Sequence, residues 1–171
     1  MRTRPTAARV REGLFSALGD VHDADVLDLY AGSGALGIEA LSRGARRATF
    51  VESARDALAC LRANVEALGL SERCRVLPLR AERSIGALRA HGPFDLVFCD
   101  PPWDQAPRAL AVLARMAEAG IFVPAARILL EHSARDPLEP LNDGPLLVSA
   151  TRRWGDTAVS TLASAKKPAG S

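Results

Sequence analysis

The residues Asp100-Pro101-Pro102-Trp103 combine a carboxylate, two prolines and an aromatic ring directly after an apolar stretch. Proline lacks an amide N–H and fixes its own backbone angle, so this turn presents carbonyl oxygens and the Asp100 carboxylate as hydrogen-bond acceptors. Such acceptors suit an amino group. Hydrogen bonds from both hydrogens of an amino group would aim the nitrogen lone pair at an electrophile, so catalysis would rest on orientation and electrostatics. Trp103 would stack on a flipped base, returning about 1–3 kcal/mol of the cost of flipping.

A glycine-rich segment upstream has the spacing of a cofactor-binding loop. Gly32, Gly34 and Gly37 match G-x-G-x-x-G where a strand would give way to a helix, and Glu52 follows Gly34 by 18 residues. This pattern predicts a nucleotide-like cofactor whose ribose hydroxyls bind the acidic side chain. The glycines fit NAD and S-adenosylmethionine equally. Asp28 favours S-adenosylmethionine, because a carboxylate would repel a pyrophosphate but attract ammonium and sulfonium charges. A Walker phosphate loop is excluded because no Gly-Lys-Ser/Thr follows.

Length and charge restrict the class of protein. The chain has 171 residues, of which 48% are hydrophobic and 25% charged, which predicts a single domain over residues 1–171. Within it we expect an N-terminal helix and substrate-side segment over 1–20 and a flexible tail over 164–171. The net charge is only +2, so contact with nucleic acid must come from a local basic cluster. The sequence has neither a membrane-length apolar run nor a signal peptide pattern, which predicts a cytoplasmic protein.

The cysteines and histidines do not indicate a metal site. The cysteines lack C-x-x-C spacing and each lies in an apolar-periodic segment, which predicts reduced core residues: Cys60, Cys74 and Cys99. The histidines share no metal-ligand spacing and are predicted to lie at the surface or in loops: His22, His91 and His132.

Helical and strand patterns alternate along the chain. Helices are predicted over 10–18, 34–42, 53–68, 84–90 and 109–119, and strands over 25–30, 47–52, 74–79, 94–99 and 128–131. Residues 146–150 and 157–162 predict a closing antiparallel hairpin. Ser53 and Asp56 resemble a capping box, and Pro78 predicts that the third strand ends there or borders the sheet. The alternation predicts a doubly wound, mostly parallel α/β sheet with its ligand crevice at the carboxyl ends of the strands.

Over nearly its whole length the chain resembles the bacterial small-subunit (16S) rRNA guanine-N2 methyltransferases of the RsmD type. Its Asp-Pro-Pro-Trp turn is similar to the (D/N)-P-P-(F/Y/W) signature of enzymes that methylate exocyclic amino groups of nucleobases. Residues 4–15, 28–43 (DLYAGSGALGIEALSR), 50–52 and 153–157 carry the rest of the resemblance. The family implies a Rossmann-like fold, S-adenosylmethionine as donor, and an assembling or assembled small ribosomal subunit as partner. We further expect a monomer.

The resemblance also implies roles for particular residues. Those implied for the cofactor are Asp28, Gly32, Ser33, Gly34, Glu52 and the backbone amide of Ala81. Tyr30, the only tyrosine, is expected either to wall the cofactor site or to pack in the core. Those implied to hold the target base are Asp100, Pro101, Pro102 and Trp103. Those implied for RNA phosphates are Arg4, Arg9 and Arg11.

The chain departs from the family pattern at two places. Only Met1-Arg2-Thr3 precede Arg4, where the family has a basic, glycine-containing segment, which predicts weak binding to protein-free RNA. Arg80 precedes Ala81 where the family has a small polar residue, so the adenine contacts around Ala81 and Glu82 stay open.

Two other functions fit the same residues. The nearer alternative is methylation of DNA adenine or of a protein glutamine, since both acceptors are planar amino groups. Asp100 in place of Asn favours guanine, whose N1–H and N2–H are both donors. The farther alternative is a non-catalytic nucleotide-binding or RNA-binding module, which the presence of Asp100 and Glu52 disfavours. A NAD-linked oxidoreductase would need an acid or base for hydride transfer, and none is evident.

Overall fold

The computed structural model describes residues 5–138 and 144–165, which form a seven-stranded sheet. The strands are β1 (Asp25–Leu29), β2 (Arg47–Val51), β3 (Cys74–Leu77), β4 (Phe94–Cys99), β5 (Phe122–Ser133), β6 (Leu146–Trp154) and β7 (Thr157–Ser164). Their order across the sheet is β3-β2-β1-β4-β5-β7-β6. Strands β1 to β5 are parallel, whereas β7 is antiparallel to both β5 and β6. The predicted parallel sheet and closing hairpin are therefore confirmed.

Helices cover both faces of this sheet. They are α1 (Pro5–Leu18), α2 (Ala35–Ser42), α3 (Arg55–Ala67), α4 (Ile85–Leu88) and α5 (Ala106–Glu118). Phe15 of α1, Leu41 of α2 and Leu61 of α3 share one buried cluster, while Leu88 of α4 and Leu113 of α5 belong to the other. This confirms the doubly wound arrangement, in which the strands at the centre of the sheet are buried on both sides.

The order of strands places the ligand crevice. Strands β1 and β4 are adjacent although β2 and β3 intervene in sequence, so the chain changes direction between them. Loops leaving β1 and β4 then diverge to opposite faces, which opens a crevice at their carboxyl ends. The glycine loop follows β1 and the Asp-Pro-Pro-Trp turn follows β4, so both predicted motifs lie at this crevice.

The lengths of several strands differ from what the sequence patterns predict, and β6 runs to Trp154 instead of ending at residue 150. Strand β3 ends at Leu77, one residue before Pro78, and lies at the edge of the sheet, as the missing amide donor predicts. Strand β5 begins at Phe122, earlier than predicted. Its first half contains Pro124, which has no amide donor and is unfavourable inside a strand, and residues 124 and 125 are exposed.

Three local predictions are wrong. The residue before α3 is Ala54 and no side chain caps this helix, so Ser53 does not form a capping box. Cys60 is exposed because the buried face of α3 is formed by its neighbours Leu58 and Leu61. His132 is buried within β5, where Nε2 and the Ser160 Oγ lie 2.9 Å apart.

The described part of the chain contains neither a membrane-length apolar helix nor a metal-binding group of side chains. None of its helices combines the length and apolar character needed to cross a membrane. Its histidine, cysteine and acidic side chains form no group of three that could hold a metal ion.

Candidate active site

Two clefts adjoin at the carboxyl ends of the strands. The first, which we call the loop-side cleft, has a volume of about 680 Å³ and lies among the loops that follow β1, β2, β3 and β4. The second, the hairpin-side cleft, has a volume of about 500 Å³ and lies between α1, the start of α2 and the β6–β7 turn. Asp100 and Trp103 line both clefts. The turn after β4 therefore separates two compartments, each large enough for a separate ligand.

Glu52 lines the loop-side cleft in a fixed orientation. Its Oε2 accepts a hydrogen bond from the Gly32 amide at 2.8 Å, and its Oε1 accepts two from the Ser53 and Ala54 amides at 2.7 Å each. A carboxylate has about four acceptor positions, so capacity for a ligand hydroxyl remains. The same side chain thus ties the loop after β1 to the loop after β2.

The glycines serve the loop in two ways. Gly32 and Gly34 have φ values of 57° and 83°, a left-handed conformation that side chains other than glycine's disfavour. A Cβ at Gly34 would clash with Leu61, and one at Gly37 would clash with Phe50. Gly34 therefore allows close packing against Leu61 of α3, and Gly37 allows α2 to pack closely on Phe50 of β2. The exposed Ser33 accepts a hydrogen bond through its carbonyl oxygen from the Asn64 Nδ2 at 3.0 Å.

Asp28 lies beneath the glycine loop and does not line either cleft. The residue is only 1% exposed, and its Oδ2 accepts a hydrogen bond from the Gly37 amide at 2.9 Å. Burial raises the pKa of Asp28 to about 8. The hydrogen bond from the Gly37 amide lowers the pKa, whereas the negative charges of Asp100 and Glu52 raise it further. Asp28 is therefore mostly protonated at neutral pH and makes no contact in either cleft, and a cationic ligand in the loop above it would lower its pKa and favour its charged form.

Tyr30 and Ala81 both line the loop-side cleft. The hydroxyl of Tyr30 is buried and has no hydrogen-bond partner among the described residues. Burial also raises the pKa of Tyr30 to about 12. An unpaired buried hydroxyl costs about 1–3 kcal/mol, so a polar ligand that bonded to it would be stabilised. Ala81 opens a short 3₁₀ turn, Ala81–Arg83, whose first amides have no partner inside the turn.

An ion pair crosses the same cleft. Arg108 Nε of α5 lies 2.7 Å from the Glu82 Oε1 in the turn after β3, and both residues line the cleft. Sequence reasoning left Glu82 open and did not identify Arg108. Helical periodicity placed Arg108 just before a predicted helix, and only the fold shows that it faces the turn after β3.

The turn after β4 holds Asp100 at the junction of the clefts. The Asp100 amide lies 3.4 Å from the Leu29 carbonyl oxygen. The Gln105 amide donates a hydrogen bond to the Pro102 carbonyl oxygen at 2.8 Å. Pro101 is buried and Trp103 is 47% exposed. Asp100 opens to the clefts but protein surrounds most of it, and this desolvation raises its pKa to about 6. The four residues of the turn thus lie together as predicted.

The predicted phosphate-binding arginines do not share one location. Arg11 lines the hairpin-side cleft, whereas Arg9 is exposed on α1 and does not line it. Arg4 lies outside the described residues. Helix α1 is fixed against the hairpin, because a Cβ on Gly13 would come within 2.6 Å of the Trp154 Nε1. This close packing sets the position of Arg11 relative to Asp100.

Sequence reasoning did not identify Glu131, an acidic residue that lines the hairpin-side cleft. It follows Leu130, which pairs with Cys99 in the parallel register of β4 and β5, so Glu131 lies beside Asp100. Burial raises the pKa of Glu131 to about 7, and Asp100 adds to the effect. The available signal was a charged residue that ends the apolar run 128–130 at the carboxyl end of a parallel strand.

Comparison with known proteins identifies the family. Residues 1–162 match the family model described as Conserved hypothetical protein 95. The chain belongs to this family. Ribosomal RNA small subunit methyltransferase D of Haemophilus influenzae is 35% identical over 152 residues, which cover 86% of this chain and 77% of that protein. The protein of the same name from Escherichia coli strain K12 is 45% identical over 102 residues, 58% of this chain and 50% of that protein.

The fold of this Conserved hypothetical protein 95 member also matches a solved structure. A conserved hypothetical protein from Streptococcus pyogenes superposes with a TM-score of 0.80 at 31% identity, covering 91% of this chain and 95% of that chain. The resemblance predicted from the motifs is therefore confirmed over nearly the whole chain.

Proposed function

We propose that this protein transfers a methyl group from S-adenosylmethionine to the exocyclic N2 amino group of a guanine in small-subunit (16S) rRNA. Family membership and the relatives named as small-subunit rRNA methyltransferases support the activity and the substrate class. One structural observation carries the chemistry. Asp100 and Trp103 line both clefts, so an acceptor-rich turn lies where a methyl donor in one cleft meets a base in the other.

The loop-side cleft fits S-adenosylmethionine. Glu52 would bind the ribose with its fixed carboxylate, the unpaired Tyr30 hydroxyl would gain a hydrogen bond from a polar ligand group, and the Ala81 amide would recognise the adenine. Gly32, Ser33 and Gly34 form the adjacent loop, and Asp28 lies buried beneath them, where the positive charges of the bound donor would favour its ionised form. When bound, S-adenosylmethionine supplies an electrophilic methyl carbon on a sulfonium.

Residues of the turn orient the acceptor nitrogen. The Asp100 carboxylate and the carbonyl oxygens of the turn accept hydrogen bonds from the amino group, because the prolines provide no competing donors. The lone pair of the nitrogen is then directed towards the loop-side cleft. Trp103 is exposed enough to stack on the base. After methyl transfer the nitrogen loses a proton, and no strong general base is required.

We also propose which arginines bind the RNA and which form of the small subunit is the substrate. Arg11 and Arg9, with Arg4 in the adjoining segment, would bind phosphates around the target nucleotide and fix its register. With a net charge of +2, electrostatic attraction to bare RNA is small. We therefore infer an assembling or assembled small subunit as the substrate, acted on by a monomeric, single-domain, cytoplasmic enzyme.

We expect methyl incorporation into small ribosomal subunits from cells that lack this protein, with N2-methylguanosine as the product found by nucleoside mass spectrometry. Protein-free 16S rRNA should accept methyl groups less well, because few phosphate contacts are available, and its binding should depend only weakly on salt. Both substrates should be compared at several salt concentrations. Methylated adenine, or methylated protein glutamine in place of RNA, would contradict the proposed function, and better activity on protein-free rRNA would contradict the proposed substrate.

Replacing Trp103 with alanine should weaken binding of the target nucleotide by about 1–3 kcal/mol, or about 5- to 150-fold in KM, because one base–aromatic stack is lost. Steady-state kinetics on small subunits would measure this change. Trp103→Phe keeps an aromatic face and should retain most of the affinity. An unchanged KM for Trp103→Ala would show that the ring does not stack on the base.

A further inference from the structure

Asp100 and Glu131 form a pair of neighbouring carboxylates in the hairpin-side cleft. Parallel pairing of Cys99 with Leu130 brings the next residues of β4 and β5 side by side. Side chains alternate between the faces of a strand, so Asp100 and Glu131 share the face of Phe98 and Leu129, which pair in register and lie in one buried cluster. Both carboxylates line the cleft opposite α1.

Glu131 has no ion-pair partner among the residues that the structure describes. Arg11 lines the same cleft from α1, and Asp156 lines it from the β6–β7 turn, where it pairs with Arg135. A half-buried carboxylate beside a second carboxylate is destabilised in its charged form, which agrees with the raised pKa of both groups. Donors from a ligand would relieve this cost.

The number of donors on the base matches two carboxylates better than one. Guanine presents N1–H and one N2 hydrogen side by side on its Watson–Crick edge, and its other N2 hydrogen lies on the N3 side. If Asp100 and the carbonyl oxygens of its turn accept from the N2 amino group, N1–H still needs an acceptor, since an unmatched buried donor costs about 1–3 kcal/mol. Adenine has a lone pair at the position of N1–H, and a carboxylate there would repel it.

We propose that Glu131 is a specificity-determining residue, whose carboxylate accepts the N1–H of the target guanine while Asp100 orients its N2 amino group. This inference rests on the proposed function and assigns its base selectivity to the end of β5. A site that bonds to a polar group of the substrate rejects an analogue that lacks it more strongly than an apolar pocket can. Glu131 therefore positions the base, and the turn after β4 remains the part that contacts the reacting nitrogen.

The test compares guanine with 2-aminopurine at the methylated position of reconstituted small subunits. 2-Aminopurine keeps the 2-amino group but has a lone pair in place of N1–H. For the wild-type protein we expect kcat/KM to be about 100-fold lower with 2-aminopurine, from about 3 kcal/mol for an unmatched charged acceptor. In Glu131→Gln the side-chain amide can donate to that lone pair, so discrimination should fall to within about 5-fold, with a loss of about 10-fold on guanine.

Controls separate this role from a structural one. Glu118→Gln removes an exposed carboxylate at the end of α5 and should keep the wild-type discrimination. Affinity for S-adenosylhomocysteine should be unchanged in Glu131→Gln, which would show an intact loop-side cleft. Equal losses on guanine and 2-aminopurine, or wild-type discrimination in Glu131→Gln, would overturn the inference. A wild-type protein that methylates no guanine N2 would overturn the proposed function itself, and this inference with it.

Discussion

Asp100→Ala should lower the rate of methyl transfer by about 100- to 1,000-fold, the usual effect of removing one group that stabilises a transition state by hydrogen bonding. Asp100 is the charged acceptor of the turn, and its hydrogen bonds to the amino group strengthen as the nitrogen becomes tetrahedral. The loss should therefore appear in kcat and in kcat/KM together. Single-turnover methyl transfer to small subunits, with radiolabelled donor, would measure it.

The matched control for this variant lies four residues along the same loop. Asp104 is exposed and does not line either cleft, so Asp104→Ala should keep nearly full activity. Affinity for S-adenosylhomocysteine, measured by calorimetry, should change little in Asp100→Ala. If that affinity falls as much as the rate does, then Asp100 serves the cofactor instead of the base.

Lowering the pH should reduce the rate of methyl transfer. The pKa of Asp100 is raised to about 6 and that of Glu131 to about 7, and because the two groups interact, the observed values belong to the pair. Both must be ionised to accept hydrogen bonds fully, so activity should be highest above pH 7 and fall as the pH is lowered through this range. The dependence should be weaker in Asp100→Asn, which has no titrating group at that position.

The sequence predicts the fold well because each buried element has its own pattern. Strands such as β1 (DVLDL) and β4 (FDLVFC) are short, mostly apolar segments between turn residues, which is typical of strands buried on both faces. The first half of β5 is interrupted by Pro124, which has no amide donor, and its pairing with β4 is irregular between Phe94 and Leu96. Its early start depends on tertiary contacts, so no local pattern could show it.

The candidate site is predictable where one motif supplies it. The turn over residues 100–103 and the glycine loop are contiguous in sequence, and the rule for doubly wound sheets places both at the crevice. Glu131 and Arg108 are different, since each reaches its cleft through strand order and register that a single sequence does not specify. Asp28 was assigned by its charge, but the direction of its side chain depends on its hydrogen bond to the Gly37 amide.

Glu52→Ala should reduce the affinity for S-adenosylmethionine by about 10- to 150-fold, because a hydrogen bond to a charged group contributes about 1.5–3 kcal/mol and a ribose hydroxyl loses its acceptor. The side chain also joins the Gly32 amide to those of Ser53 and Ala54, so its loss should loosen both loops. Calorimetric titration with S-adenosylhomocysteine would give the affinity. Glu66→Ala, on the exposed face of α3, is the control for losing one surface carboxylate.

Looser loops alone could weaken cofactor binding, so the direct contact needs its own measurement. The 2′-deoxy analogue of S-adenosylhomocysteine lacks one of the two hydroxyls, and we expect the wild-type protein to bind it about 10-fold less tightly than the parent compound. Glu52→Ala should bind the two compounds equally, since the acceptor that distinguishes them is gone. If the variant still prefers the parent compound by the wild-type factor, the ribose is held by another residue and Glu52 only shapes the loops. The affinity lost through Glu52→Ala and the affinity lost through removal of the ligand hydroxyl add up if the two groups do not touch, and combine to less than their sum if they do. The comparison therefore separates the carboxylate–hydroxyl contact from the effect of the loop geometry.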